Sequence, residues 1–194
     1  GNAARTESWN GSSWTEVNDL NTARGYSGEA GTDNTSGLAI GGETSPGTNV
    51  AVTESWNGTS WTETADLSQA RLSLAGSGPS TSALAFGGTN PPSSEIGNVE
   101  EFTLNGAVGA WATTTSINRG ASQSYGSAGI NSSAMIFGGQ TPPTNYRTLT
   151  ETWDGSSWTE VADLNTARDL MGGSGASSTA CLGWGGRESN PTGS

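Results

Sequence analysis

The residues best suited to chemistry in this 194-residue chain are carboxylates that come in pairs. Glu7 with Glu16, Glu54 with Glu63, and Glu151 with Glu160 bracket three nearly identical Trp-containing segments. Paired carboxyls act as acid and base, or as acid and nucleophile, when unlike environments keep one protonated and the other ionised. Here each pair sits in the same surroundings, so the carboxyls should behave alike, and a solvated strand edge is the better reading. Asp19 with Arg24, Asp66 with Arg71 and Asp163 with Arg168 could hold an anion or a metal. Their identical repetition favours instead an ion pair that braces a turn. The chain has no His, and all seven of its basic residues are Arg. The commonest general base and metal ligand is therefore missing. No catalytic, cofactor-binding or metal-binding residue is assigned, and no cofactor is expected.

The eight tryptophans are the other candidates. A row of indoles could stack sugars, but a binding site is built once whereas packing recurs in each repeat, so a packing role is expected. Cys181 is the only cysteine and can form no internal disulfide; within Ala180-Cys181-Leu182-Gly183-Trp184 it reads as a small buried side chain. Asn10, Asn34, Asn57 and Asn131 each open an Asn-x-Ser/Thr sequon, which would carry a glycan only in a eukaryotic secreted protein.

These residues are positioned by an internal repeat. Thr6 to Arg24 reads TESWNGSSWTEVNDLNTAR, Thr53 to Arg71 reads TESWNGTSWTETADLSQAR, and Thr150 to Arg168 reads TETWDGSSWTEVADLNTAR. A divergent copy, EEFTLNGAVGAWATTTSINR, runs from Glu100 to Arg119, with Phe102 in place of the first Trp and a longer turn expected at Ala107 to Ala110. After each copy an apolar run ends in Gly-Gly, at Gly41-Gly42, Gly87-Gly88, Gly138-Gly139 and Gly185-Gly186. The period is roughly 50 residues, the size of one four-stranded propeller blade.

Each unit reads as four short strands with no helical periodicity. The first is Gly-rich, as in Leu72 to Gly76; the second is the apolar run before Gly-Gly; the third is Thr-Glu-Ser-Trp; the fourth is Ser-Trp-Thr-Glu-Val. Asn10-Gly11, Asn57-Gly58 and Asp154-Gly155 join the last two as hairpins, with type I′ turns expected. With either a two- or a four-residue loop, Trp9 and Trp14, Trp56 and Trp61, and Trp153 and Trp158 fall on one face. One hairpin could not keep that aromatic surface dry, but stacked units could.

The recurring Arg, Gly-rich strand, Gly-Gly and Trp, here Arg24, Gly41-Gly42, Trp61 and Arg71, resemble the kelch repeat over the whole chain. That resemblance implies an all-β propeller of four kelch-like four-stranded blades. The WNGSSWTEV-type units are also similar to kelch-like repeats in structural proteins of bacteriophages, marine ones especially. Two features depart from kelch: four blades are few, and Trp9, Trp56 and Trp153 stand where a Tyr-Asp pair is more usual. Copper-radical oxidases of the kelch class need His ligands and do not fit a chain without His. Asp154-Gly155-Ser156-Ser157-Trp158 resembles the Asp-box of sialidases but lacks the residue between Asp and Gly.

The phase of the repeat leads to an expectation of closure. One domain, 1–194, comprises repeats 6–52, 53–99, 100–149 and 150–194, with 1–5 completing the seam, and boundaries near Thr53, Glu100 and Thr150. The strands around residues 5–18 would pair with those around 170–186, closing the ring by its N- and C-terminal strands.

The net charge of −11 opposes nucleic-acid binding, and no apolar stretch is long enough to insert in a membrane. The leading functional expectation is a non-catalytic structural or adhesion module on a virion surface or outside the cell: a phage capsid decoration or a tail or fibre appendage. Its partners would be other virion or surface proteins and a host-surface glycan. An extracellular lectin-like glycan-binding propeller is the alternative, and a glycan-active enzyme a lesser one. The loops Glu43 to Asn49, Thr89 to Asn98, Gln140 to Tyr146 and Arg187 to Ser194 differ between units, and Pro91-Pro92 and Pro142-Pro143 stiffen two of them. The divergent third hairpin and the Pro142-Pro143 loop are the expected contact surface.

Overall fold

The computed structural model describes residues 1–90, 96–106, 108–118, 125–141 and 145–188, which contain strands and no helix. The strands are β1 (Thr6–Trp9), β2 (Trp14–Val17), β3 (Gly28–Asp33), β4 (Ser36–Ile40), β5 (Glu43–Ser45), β6 (Thr48–Asn49), β7 (Thr53–Trp56), β8 (Trp61–Glu63), β9 (Ala75–Ser77), β10 (Ser82–Phe86) and β11 (Val99–Asn105). They continue with β12 (Val108–Thr114), β13 (Gly126–Ile130), β14 (Ser133–Phe137), β15 (Gln140–Thr141), β16 (Asn145–Tyr146), β17 (Thr150–Trp153), β18 (Trp158–Glu160), β19 (Arg168–Asp169), β20 (Gly172–Ser177), β21 (Ala180–Trp184) and β22 (Arg187–Glu188).

Three four-stranded antiparallel sheets follow one another, ordered β3-β4-β7-β8, β9-β10-β11-β12 and β13-β14-β17-β18. A two-stranded hairpin stands before them, β1-β2, and another after them, β20-β21. The remaining strands form the short pairs β5-β6, β15-β16 and β19-β22. Thr53, Glu100 and Thr150 fall at or near the start of a sheet's third strand, so each sheet combines the end of one sequence repeat with the start of the next.

The first strands pack side by side in the order β3, β9, β13, β20. Gly31 N donates to Gly78 O at 2.9 Å, Ser77 Oγ to Gly129 O at 2.7 Å and Ser127 Oγ to Gly76 O at 3.1 Å. Glycine allows this approach: a Cβ on Gly76 would run into the carbonyl of Glu29. The second strands are buried on both faces. On β10, Ala83 and Ala85 join Leu38, Ile40 and Phe102, while Leu84 and Phe86 point the other way, toward Ile136 and Trp153. That two-sided burial explains why these strands read as unbroken apolar runs.

Two sequence expectations about local structure are corrected. The hairpin loops are four residues long, with Trp9 opposite Trp14, Trp56 opposite Trp61 and Trp153 opposite Trp158. Only the glycine has positive φ, +97° at Gly11, so these are not type I′ turns. The preceding side chain caps the loop instead: Asn10 Oδ1 accepts from the backbone N–H of Ser12 and of Ser13, each at 3.0 Å. In the divergent unit the extra residues lengthen the strands, because Asn105 already pairs with Val108 and Phe102 still faces Trp111.

The strand pairing does not show the seam expected between the termini. β1 pairs only with β2, and β21 only with β20, among the described residues. Among the described residues the outer edge of β21 and the matching edge of β1 have no partner strand.

Candidate functional site

The repeated charges form the frame of each sheet. Arg24 donates to Glu54 at 2.7 Å and Arg71 to Glu100 at 2.9 Å, with all four side chains buried. Glu54 also accepts from Asn21 N at 2.7 Å, Asn21 Nδ2 at 2.8 Å and Thr22 N at 3.2 Å. Glu100 accepts from Ser68 N at 2.9 Å and Glu151 from Asn118 N at 2.8 Å. The carboxylate on the third strand thus fills a slot made by the loop that precedes the first strand.

This corrects two expectations. The partner of Arg24 and Arg71 is not Asp19 or Asp66, and Asp163 accepts from Thr148 Oγ1 at 3.0 Å. Glu54 and Glu151 are interior groups, 0% and 1% exposed, while Glu16, Glu63 and Glu160 face solvent. Glu54 and Glu63, and likewise Glu151 and Glu160, therefore occupy unlike environments, with the inner carboxylate accepting from scaffold donors, whereas Glu7 and Glu16 are both exposed.

The tryptophans divide by position. Trp153 is 1% exposed, and its Nε1 donates to Asn131 O at 2.7 Å; Trp56 Nε1 donates likewise to Asn34 O at 3.0 Å. Trp61 Nε1 reaches Thr6 Oγ1 at 2.9 Å, which ties the first hairpin to the sheet beside it. Trp9 and Trp14 lie in contact with ring centroids 5.5 Å apart, yet Trp14 is 65% exposed; at the other end Trp184 is 52% exposed.

The inner strands enclose an open groove of about 650 Å³, lined mainly by small residues, with two carboxyls, Glu29 and Asp33. Solvent reaches Glu29, but the surrounding strands desolvate it and push its carboxyl above the usual range. At one mouth of the groove stand Tyr26, Ser73 and Leu170, each two residues after a repeat arginine and each with φ between 52° and 55°. Non-glycine residues held in the left-handed region concentrate at functional surfaces. The sequence analysis missed them because their side chains differ; their fixed distance from Arg24, Arg71 and Arg168 was the available signal.

Cys181 is half-buried against Met135, its sulfur 3.2 Å from Sδ, and burial pushes its thiol up. Asp154 holds the β17-β18 loop by accepting from Ser157 N and Ser156 N, each at 2.8 Å; these bonds hold its carboxyl down at about 2. No group of three His, Cys, Asp or Glu is arranged to hold a metal among the described residues. Among them, too, no helix is long and apolar enough to cross a membrane. Pro91-Pro92 and Pro142-Pro143 lie outside the described residues.

No family model matches the chain, and no curated protein matches it. Its fold is shared with many solved structures. One is YjhT, with a TM-score of 0.76 at 12% identity, over 91% of this chain and 66% of that one. That likeness concerns the fold alone.

Proposed function

We propose that this chain is an arc of a kelch-like β-propeller that serves as a non-catalytic structural and adhesion module on a virion or another extracellular surface. The observation that carries the proposal is the fate of the repeated charges. Arg24, Glu54, Arg71 and Glu100 are buried in the frame, where they hold sheets together and present no free acid or base. What varies from unit to unit is surface: the β5-β6 hairpin, the long β11-β12 hairpin with exposed Val108, and the open terminal edges. A rigid frame with variable surfaces suits recognition and assembly. The net charge of −11 suits a protein that remains dispersed at a particle surface.

Incubating the purified chain with a broad glycoside panel tests the non-catalytic reading; turnover abolished by a single carboxylate substitution would overturn it. Images of single particles along the groove axis test the arc: radially arranged sheets support it, and two sheets packed face to face refute it. A lectin-like role is the second reading, favoured by Tyr26, which is 65% exposed and held at φ 55° at the groove mouth. A glycan array separates the two, since a lectin should bind in a manner lost in Tyr26→Ala.

A further inference from the structure

We infer that the open edge of β21 is an interface that takes the β1-β2 hairpin of a second copy of this chain. The inference rests on the repeat register rather than on the adhesive role. In the first complete sheet β4 pairs with β7, so that Gly37 faces Trp56, Leu38 faces Ser55, Ala39 faces Glu54 and Ile40 faces Thr53. Counting back from Gly-Gly, β21 offers Cys181, Leu182, Gly183 and Trp184 at those four places. β1 offers Trp9, Ser8, Glu7 and Thr6, the same residue types as β7 in the same order.

The charges match as well as the strands. Arg168 stands where Arg24 and Arg71 stand, and donates to Gly185 O at 2.9 Å, but it has no carboxylate partner among the described residues. Its Nε is unpaired, as are those of Arg24 and Arg71, so the missing carboxylate is what sets it apart. Asn165 and Thr166, the counterparts of Asn21 and Thr22, donate to no carboxylate among the described residues, whereas Asn21 and Thr22 donate to Glu54. Glu7, the counterpart of Glu54, is exposed and makes no ion pair among the described residues. One copy carries an empty carboxylate slot, and the other carries the carboxylate at the matching register.

The apolar surface agrees. Trp9, Leu182 and Trp184 are among the exposed large hydrophobics, whereas their counterparts Trp56, Leu38 and Ile40 are buried; Trp14 is exposed where Trp61 is half-buried. Docking would give the sheet β20-β21-β1-β2, with the last two strands from the partner, in the order seen three times within the chain. The contact is head-to-tail, so it propagates unless the arrangement closes.

Two measurements on the full chain test this. In sedimentation velocity across a wide concentration range, the wild-type chain should associate, and Glu7→Gln should shift the midpoint to about tenfold higher concentration or more. Glu16→Gln, on the exposed face of β2, should leave it unchanged. The second measurement uses Trp9→Cys under a mild disulfide oxidant, with Cys181 as the only other thiol. In the intact sheet a Cβ at Gly37 lies 3.9 Å from Trp56 Cβ, and the equivalent separation suits a disulfide between Cys181 and the thiol that Trp9→Cys introduces. A disulfide between chains supports the inference. A disulfide within one monomeric chain overturns it in favour of self-closure. A wild-type chain that stays monomeric throughout also overturns it, and the Glu7→Gln series decides alone if Trp9→Cys fails to fold.

Discussion

Each buried Arg–Glu pair joins residues about thirty positions apart, Arg24 with Glu54 and Arg71 with Glu100. Removing one partner strands the other charge in the interior. Glu54→Ala should therefore cost about 3–5 kcal/mol in a denaturant melt, while Asp19→Asn should stay within about 0.5 kcal/mol. The sequence pointed to the wrong carboxylate because Asp19 is the nearest in the chain, and only strand pairing brings Glu54 closer. The repetition that identified the arginines was legible; their partners depended on sheet order. Asp154 gives a pH prediction with a definite sign. Its folded pKa, about 2, lies below its ordinary 3.8, so its contribution is full above about pH 5 and is lost as pH falls through about 4 toward 2. Asp154→Asn should keep the loop, as Asn10 and Asn57 do, and should remove that part of the acid dependence of thermal unfolding.

The same hairpin occurs in two environments. β17-β18 is enclosed between neighbouring units and β1-β2 is not, although their sequences are nearly identical. Trp153→Ala should destabilise the chain by about 3–5 kcal/mol, and Trp14→Ala, measured at a concentration where the chain is monomeric, by about 0.5 kcal/mol or less. Comparable losses would mean that β1-β2 is as well packed as β17-β18. The hairpins and the shared face of each Trp pair were readable from parity, because side chains alternate along a strand and the Asn-Gly and Asp-Gly steps mark the reversal. Loop length was not readable, since two- and four-residue loops preserve the same parity. The four-residue form has Asn10, Asn57 or Asp154 capping the loop's backbone N–H groups, a contact set by loop geometry rather than by residue type. In the divergent hairpin the extra residues extended β11 and β12, where Phe102 against Trp111 continues the ladder.

At the scale of the molecule, three complete sheets lie between two half-sheets, and matching YjhT over 66% of its length leaves about a third of that fold without a counterpart here. The repeat phase led to the expectation that the terminal hairpins supply complementary halves of one sheet. It could not show whether the chain curves tightly enough to join them, because curvature depends on how closely the Gly-rich inner strands pack. A row of sheets of this kind should not open uniformly. Repeat arrays gain stability from each interface between neighbours, and the end units have an interface on one side only. β10 and β14 are flanked on both faces and almost wholly buried, whereas most of β21 and the turn of the first hairpin face solvent. Amide hydrogen exchange at low protein concentration should therefore be slowest in Leu84 to Phe86 and Ala134 to Phe137 and fastest, among paired strands, in β1-β2 and β20-β21. Raising the concentration should protect Thr6 to Trp9 and Ala180 to Trp184 together while leaving β10 unchanged, because head-to-tail docking covers both ends in equal number. Uniform protection at every concentration would mean that the ends are already sealed within one chain.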